Sequence, residues 1–224
     1  LDWFGNAVPE SDKYHIDCDE VAKTYPLAPT PGDADFALVV MRTPMSPGFD
    51  DDDLAAGGSG YVPISLQYGP YAAPTARERS IAGGDPLEKG VNRAYRGKEA
   101  IVYNRSDLTR FMETRKALGD KPLVVILKMD KPTIVREFEP HADAILVDFG
   151  VGAAALMDIV SGRQTPSGLL PLQIPRDMET VEAQAEDMPR DMEPHRDSEG
   201  NVYDFAFGMD FTAVIDDDRV KKYR

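Results

Sequence analysis

The sequence predicts an α/β fold with a mostly parallel, doubly wound sheet and helices on both of its faces. Three continuous apolar segments, rich in valine, isoleucine and leucine, are typical of strands that are covered on both sides. Helical segments alternate with them along the chain. Parallel strands need crossover connections, and helices must cover both faces of the sheet, so this order indicates a three-layer sandwich.

The predicted strands lie at residues 34–42, 121–129 and 142–149, with a further candidate at 100–104. A short alternating segment, 13–18, is a weaker strand candidate. Residues 168–175, "GLLPLQIP", predict a last extended segment. The connections between these segments are long enough for the crossovers that a parallel sheet needs.

The clearest predicted helix covers residues 106–119. Asn104 or Ser106 is expected to cap its start and Gly119 to end it, while Leu108, Phe111 and Met112 share one apolar face. Three more helices are expected at 19–25, at 131–139 with a proline in the first turn, and at 152–162, ended by Gly162.

Composition limits the function classes. The 224 residues carry a formal net charge of −14, which disfavours nucleic acids and anionic membranes as partners. The apolar segments are shorter than the ~20 residues of a membrane span, and the single cysteine excludes an internal disulfide. We expect a soluble protein, with cytoplasm, periplasm and secretion all open. The start at Leu1 favours a processed or truncated chain.

One domain is expected at 33–211, preceded by a leading segment at 1–32 and followed by a tail at 212–224. Within it, residues 43–98 form a long insertion rich in glycine and proline, and loops of this length are usually functional. Ligands of doubly wound folds meet the loops at the carboxyl ends of strands. Those loops begin at Arg42, at 128–132 and at 148–152.

Several chemistries are disfavoured. "GVGAAA" follows a strand and opens a helix, but its third small residue is alanine, and packing of the helix on the sheet explains it better than a dinucleotide. No Walker loop is present. His15, His141 and His195 lack metal-site spacing and are expected at the surface or in turns, so no metal or cofactor is predicted. Ser167 lacks the nucleophile elbow of serine hydrolases.

Four motifs in order resemble the C-terminal α/β sandwich domain of glycoside hydrolase family 3. They are "KPLVVILKMDKPTIV", "DAILVDFG", the turn "TPSGLLPLQIPRDM" and the closing "VYDFAFGMDF", which is similar to that family's closing strand. The resemblance implies a structural role for the Pro166–Gly168 turn. It also implies that the catalytic nucleophile belongs to an N-terminal (β/α)8 barrel, which makes this chain inactive alone, and that the substrate is a carbohydrate with a β-glucosidic bond.

The resemblance further implies that the loop after the first strand holds the acid/base. The usual glutamate is absent there, and the candidates are Asp50, Asp51, Asp52 and Asp53, with Glu78 and Glu88 in reserve. A proton donor needs a raised pKa, which adjacent carboxylates can provide. An exposed acidic run without catalytic function is the alternative, and calcium binding lacks the alternating pattern.

The insertion is similar to a loop of some bacterial family members, so a bacterial source is expected. Aromatic rings and polar side chains in it are candidates for sugar contacts: Tyr61, Gln67, Tyr68, Arg77, Arg79 and Arg93, with Tyr71 and Tyr95 as further rings. The alternative is that they fix the loop onto the sheet by bonding backbone carbonyls. At the level of the whole chain, the alternatives are a non-catalytic carbohydrate-binding or assembly module and a flavodoxin-like nucleotide binder.

Overall fold

The computed structural model describes residues 18–74, 95–185 and 188–222. In these ranges the strands are β1 (Ala37–Arg42), β2 (Leu123–Lys128) and β3 (Ala144–Asp148). The α-helices are α1 (Cys18–Ala22), α2 (Asp51–Ala55), α3 (Ser106–Leu118), α4 (Ala153–Val160), α5 (Met178–Glu182) and α6 (Asp218–Lys221). Three-residue 3₁₀ turns lie at Pro31–Asp33, Val135–Glu137 and Glu139–His141. The weak strand predicted at 13–18 lies outside the described residues, except for Cys18.

The three strands form one parallel sheet in the order β1-β2-β3. In register, Val39 pairs with Val125 and Val125 with Ile145, so apolar side chains stack across the sheet. Successive side chains of a strand point to opposite faces, and both faces of this sheet carry apolar residues. The predicted α/β class and the parallel sheet are confirmed.

Helices cover both faces, as predicted. On one face Met41, Val125 and Leu127 pack in the main core with Phe111 of α3. On the other face Val40 and Ile126 pack with Leu156 of α4. The odd and even positions of the same strands therefore feed two separate layers, which is the pattern of a three-layer sandwich.

Helix α3 begins and ends close to the predicted residues. The Asp107 amide donates to the Asn104 carbonyl at 3.0 Å, and Gly119 follows the last turn with φ +68°. Phe111 is buried and Leu108 half-buried, whereas Met112 is exposed, so the apolar face is narrower than predicted. Asn104 does not cap the helix with its side chain, because that side chain binds the turn after β1 instead.

The helix predicted at 131–139 was wrong. The chain forms two 3₁₀ turns there, because Ile134 is extended and donates its amide to the Leu66 carbonyl at 2.8 Å. Pro140 also disfavours the α conformation at the residue before it. Residues 100–104 were wrongly predicted as a strand: the Ala100 amide donates to the Tyr71 carbonyl at 2.8 Å, so this segment pairs with the insertion and not with the sheet.

The segment 168–175 is extended, and it pairs with the chain that returns at 202–207. The Leu170 amide donates to the Phe207 carbonyl at 2.7 Å, and Ile174 is buried in the main core. In the segment 202–211, which resembles the family's closing strand in sequence, only isolated bridges form. A Cβ added at Gly208 would lie 2.2 Å from the Gly168 carbonyl oxygen, so the two backbones touch where only glycine fits.

No helix among the described residues is both long and apolar enough to cross a membrane. The limits predicted for the domain, the leading segment and the tail stay predictions.

Candidate active site

The loops after the three strands meet at the carboxyl edge of the sheet. The Thr43 amide donates to the Lys128 carbonyl at 3.1 Å, and the Thr43 hydroxyl donates to the Asp130 carboxylate. The Met129 amide donates to the Asp148 carbonyl at 2.8 Å. These bonds continue the ladder of parallel strands beyond their last paired residues, so the three predicted loops form one surface.

The glycine turn after β3 is closed by its own aspartate. The Asp148 side chain is buried, and its Oδ1 accepts the amides of Gly150 at 2.7 Å and Val151 at 2.8 Å. A phosphate at this helix start would need such amides. Because a carboxylate already holds them, the turn serves the scaffold, in agreement with the structural interpretation of "GVGAAA".

The turn that leaves β1 is held by Asn104. Its Oδ1 accepts the Met45 amide at 2.7 Å, while its Nδ2 lies 3.2 Å from the carbonyl oxygens of both Arg42 and Thr43. The Nδ2 group also donates to Asp107 Oδ2 at 3.0 Å. The side-chain amide of one buried residue thus binds the backbone at three of the four residues from 42 to 45.

Asp107 completes this contact. Its Oδ2 also accepts the Arg42 amide at 3.1 Å, whereas its Oδ1 is buried without a hydrogen-bond partner among the described residues. The Arg110 guanidinium lies 3.7 Å from Oδ1. Burial raises the pKa of Asp107, and this effect outweighs the hydrogen bonds and the Arg110 charge, which lower it. We call Asn104 and Asp107 the buried anchor.

Tyr68 and Glu137 fix the insertion onto the same edge. The Tyr68 side chain is 1% exposed, and its hydroxyl donates to the Arg42 carbonyl at 2.5 Å. Glu137 accepts the amides of Tyr68 at 2.6 Å and Gly69 at 2.8 Å, and burial raises its pKa. For Tyr68 the contacts match the structural alternative, in which a tyrosine hydroxyl bonds a backbone carbonyl.

The four aspartates lie at the start of α2. Asp50 is its N-cap and accepts the Asp52 amide at 2.9 Å, while Asp51 and Asp52 are exposed. Asp53 accepts the Lys98 ammonium at 2.7 Å and the Gly60 amide at 2.7 Å. The Lys98 hydrogen bond lowers the pKa of Asp53, which is opposite to the direction that a proton donor needs.

Lys98 joins the last aspartate of the acidic segment to the residues that follow α2. Besides Asp53, its Nζ donates to Ser59 Oγ at 3.2 Å and to the Tyr61 carbonyl at 2.9 Å. The Tyr61 ring stands edge-on to Phe49 with ring centroids 5.6 Å apart. We call Lys98 and Asp53 the outer clamp, because both side chains are partly exposed.

The other predicted sugar contacts fall into two groups. Gln67 is half-buried, and its Nε2 donates to the Pro70 carbonyl at 3.0 Å, so it is engaged within the loop. Arg77, Arg79 and Arg93 lie outside the described residues, as do the reserve acid/base candidates Glu78 and Glu88, whereas Tyr95 is half-buried.

Two glutamate contacts were missed by the sequence analysis. The Tyr71 hydroxyl donates to Glu182 Oε1 at 3.1 Å, and burial raises the pKa of Glu182. His195 is buried, with Nε2 3.2 Å from Glu139, so the expectation of a surface or turn position is wrong for this histidine. His141 is exposed, as expected, and His15 lies outside the described residues. Neither pair has a spacing signal, since its members are 111 and 56 residues apart.

Residues 104–211 match the family model described as "Glycosyl hydrolase family 3 C-terminal domain". Residues 104–211 therefore correspond to the C-terminal domain of glycosyl hydrolase family 3. The matched residues include β2, β3 and α3, and the resemblance in the sequence motifs is confirmed. Strand β1 precedes them but pairs with β2 along its whole length. The sheet that contains the matched strands therefore uses residues on both sides of the insertion.

Three relatives of the chain are named as β-glucosidases. The chain is 31% identical over 112 residues to "Beta-glucosidase C" of Emericella nidulans. The matched stretch covers 50% of the chain and 17% of the relative. It is 34% identical over 106 residues to "Probable beta-glucosidase C" of Aspergillus flavus, covering 45% of the chain and 16% of the relative. A relative of the same name from Aspergillus oryzae is 34% identical over 112 residues.

The chain thus matches about one sixth of the length of these relatives. The three relatives are fungal, so they do not support the bacterial source that the insertion suggested. No solved structure matches the chain significantly.

Proposed function

We propose that this chain is the C-terminal part of a family 3 β-glycosidase that hydrolyses terminal β-glucosidic bonds together with an N-terminal (β/α)8 barrel. The observation that carries the proposal is the family match, because it falls on the sheet whose carboxyl-edge loops bear the acidic segment. The names of the relatives add support for a β-glucoside as substrate.

The proposed chemistry uses two carboxylates. In a retaining glycosidase one carboxylate attacks the anomeric carbon, and the other protonates the leaving oxygen and then deprotonates the incoming water. We assign the nucleophile to the barrel and the acid/base to the acidic segment of this chain. A proton donor must reach the glycosidic oxygen, so a carboxyl on an exposed loop at the carboxyl edge suits the function.

Within the segment, Asp51 and Asp52 are the better candidates for the acid/base. Asp50 is used as the N-cap of α2, and Asp53 is held by Lys98 with a lowered pKa. Approach of the barrel carboxylate and loss of water would raise the pKa of an exposed aspartate beside it. Sugar contacts remain assigned to Tyr61 and Gln67, with Arg77, Arg79 and Arg93 from the insertion.

The test is hydrolysis of an aryl β-glucoside by the 224-residue chain, alone and mixed with its family 3 barrel. We expect no turnover by the chain alone and turnover by the pair. Asp51→Asn and Asp52→Asn, measured singly in the pair, identify the donor: loss of the acid/base lowers the rate by about 10²–10⁴-fold. Strong activity of the chain alone, or an inactive pair, would contradict the proposal.

A second candidate function is a non-catalytic carbohydrate-binding or assembly module. It is favoured by the contacts of Asp50 and Asp53, which give two of the four aspartates structural partners. Calorimetric titration of the chain with glucose and with a β-glucoside separates the two. A binding module binds sugar without the barrel, whereas the catalytic proposal expects tight binding only in the assembled pair.

A further inference from the structure

We propose that Asn104 and Asp107 are positioning residues, which fix the turn after β1 and so set where the acidic segment 50–53 presents its carboxylates. This inference rests on the proposed function, and it assigns a role to two residues outside the acidic segment. The two side chains touch neither Asp51 nor Asp52 in the described contacts, so any effect on catalysis passes through the backbone of residues 42–50.

The contacts of the buried anchor are specific for one backbone path. Asn104 accepts from Met45 and donates toward the carbonyls of Arg42 and Thr43, while Asp107 accepts from Arg42. Together they satisfy polar backbone groups at three of the four residues from 42 to 45. Strand β1 lies at the edge of the described sheet, and the Thr43 amide continues its pairing with β2, so the groups that bind the anchor are ones that do not pair with the sheet. A different path for the turn would leave buried groups without partners.

The buried anchor also connects the turn after β1 to the main core. Asn104 and Asp107 belong to the start of α3, whose Phe111 is packed in the main core. The core therefore fixes the helix, the helix fixes the two side chains, and these fix the turn. The acidic segment begins at Asp50, five residues after Met45. The Asp50 amide donates to the Gly60 carbonyl at 2.7 Å.

The presence of a carboxylate at Asp107 favours a positioning role for this residue over a role in stability alone. Asp107 is fully buried, and its Oδ1 lacks a hydrogen-bond partner among the described residues. Burying a carboxylate is costly, and an apolar side chain of similar size often gives equal or greater stability. What an apolar residue does not supply is an acceptor for the Arg42 amide and the Asn104 side chain.

The first test is hydrogen exchange of the 224-residue chain. We expect Asn104→Ala and Asp107→Ala to increase the exchange of the Arg42 and Met45 amides about tenfold relative to those of β2, since a protecting bond or its support is lost. Phe111→Leu is the matched control, because it weakens the same helix from the core side without touching the turn. Unchanged exchange of the Arg42 and Met45 amides in both anchor variants would overturn the proposal.

The second test measures turnover in the chain assembled with its barrel. We expect Asp107→Ala to lower kcat about 10²-fold, as for a misplacement near 1 Å, with little change in KM and a displaced pH-rate profile. Asp107→Asn keeps one acceptor oxygen and should recover most of the rate. Phe111→Leu should change neither the profile nor kcat at temperatures where it is folded.

The outcomes separate the two proposals. Faster exchange with unchanged kcat in the active pair overturns the positioning role and leaves the proposed function intact. An equal loss of kcat in Asp107→Asn, Asp107→Ala and Phe111→Leu also overturns it, since that pattern reports instability. An unmodified pair without activity refutes the proposed function, and with it the catalytic meaning of the anchor, even if exchange shows that the turn is held.

Discussion

The buried anchor and the outer clamp hold the same loop with similar chemistry in different surroundings. Each brings a carboxylate against a nitrogen donor, Asp107 against Asn104 and Asp53 against Lys98. The Asp107 side chain is fully buried, whereas both side chains of the clamp are 26% exposed. Water and salt reach the clamp but not the anchor.

This difference in solvent access changes what each contact contributes. In water a broken hydrogen bond is replaced by another, so an exposed ion pair adds little to stability. In a dry site no replacement exists, and removal of one partner leaves the other unsatisfied. The loop after β1 should therefore be rigid where it leaves the sheet and adjustable where it carries the aspartates.

The largest effect is expected for Asp107→Ala. It leaves the Arg42 amide without an acceptor and removes one of the acceptors of Asn104 Nδ2, and we expect a loss of about 3 kcal/mol in the free energy of unfolding. Urea denaturation of the 224-residue chain measures it. Asp107→Asn, which keeps one oxygen, is the control and should lose clearly less. A loss below ~1 kcal/mol for the alanine variant would show that the anchor is no stronger than the clamp.

A smaller loss is expected for Gly60→Ala in the outer part of the loop. Gly60 has φ +77°, and an added Cβ would lie 2.5 Å from the Phe49 ring. The left-handed backbone alone costs about 1–2 kcal/mol, and displacement of Phe49 adds to it. Gly57→Ala is the matched control, because Gly57 has φ +89° but no atom within 4 Å of an added Cβ. Equal thermal stability of the two variants would mean that the contact between Phe49 and Tyr61 contributes nothing.

Glu137→Gln is expected to change the pH dependence of stability. Burial raises the pKa of Glu137 above its ordinary 4.5, so the unfolded chain ionises first as pH rises. The stability linked to this group is present below pH 4.5 and is lost as pH rises through the raised pKa. Glutamine does not titrate, so the stability of the variant should rise relative to that of the parent chain as pH increases from 4.5 through the raised pKa. Urea unfolding at several pH values measures this difference. A constant difference would contradict the raised pKa.

The smallest effect is expected for Lys98→Met. It removes the hydrogen bond that lowers the pKa of Asp53, so this pKa should rise toward 3.8 in an NMR titration. The stability linked to Asp53 is present above its ordinary pKa and is lost as pH falls through the lowered one. The loss of stability should be slight and should shrink further in high salt. A large, salt-independent loss would place the clamp in the same class as the anchor.

Strands β1, β2 and β3 were predictable because a strand covered on both faces needs an unbroken apolar segment, and that pattern is local. The segment 131–139 misled prediction because its amphipathic pattern suits a helix, while its backbone is used by Leu66 of the insertion. The segment 100–104 misled prediction in a similar way. Its apolar residues Ala100 and Val102 are buried, but the segment pairs with the insertion and not with the sheet. Tertiary contacts with a long loop leave no local signal.

The position of the candidate site was predictable, but the contacts that hold it were not. The carboxyl-edge loops follow from strand order, and Thr43, Asp130 and Asp148 lie where the parallel sheet places them. The roles of Asn104 and Asp107 could not be derived, since Asn104 was considered only as a helix cap. Its partners lie about 60 residues earlier in the chain, at the turn after β1.

The contact between Gly168 and Gly208 joins two stretches that are 40 positions apart, with no space for a methyl group between them. Any side chain gained at Gly208 must be accommodated by moving the corner formed by Pro166 and Leu170. The two stretches therefore have to change together during evolution, and a protein engineer who transplants the returning arm into another scaffold must transplant the corner as well.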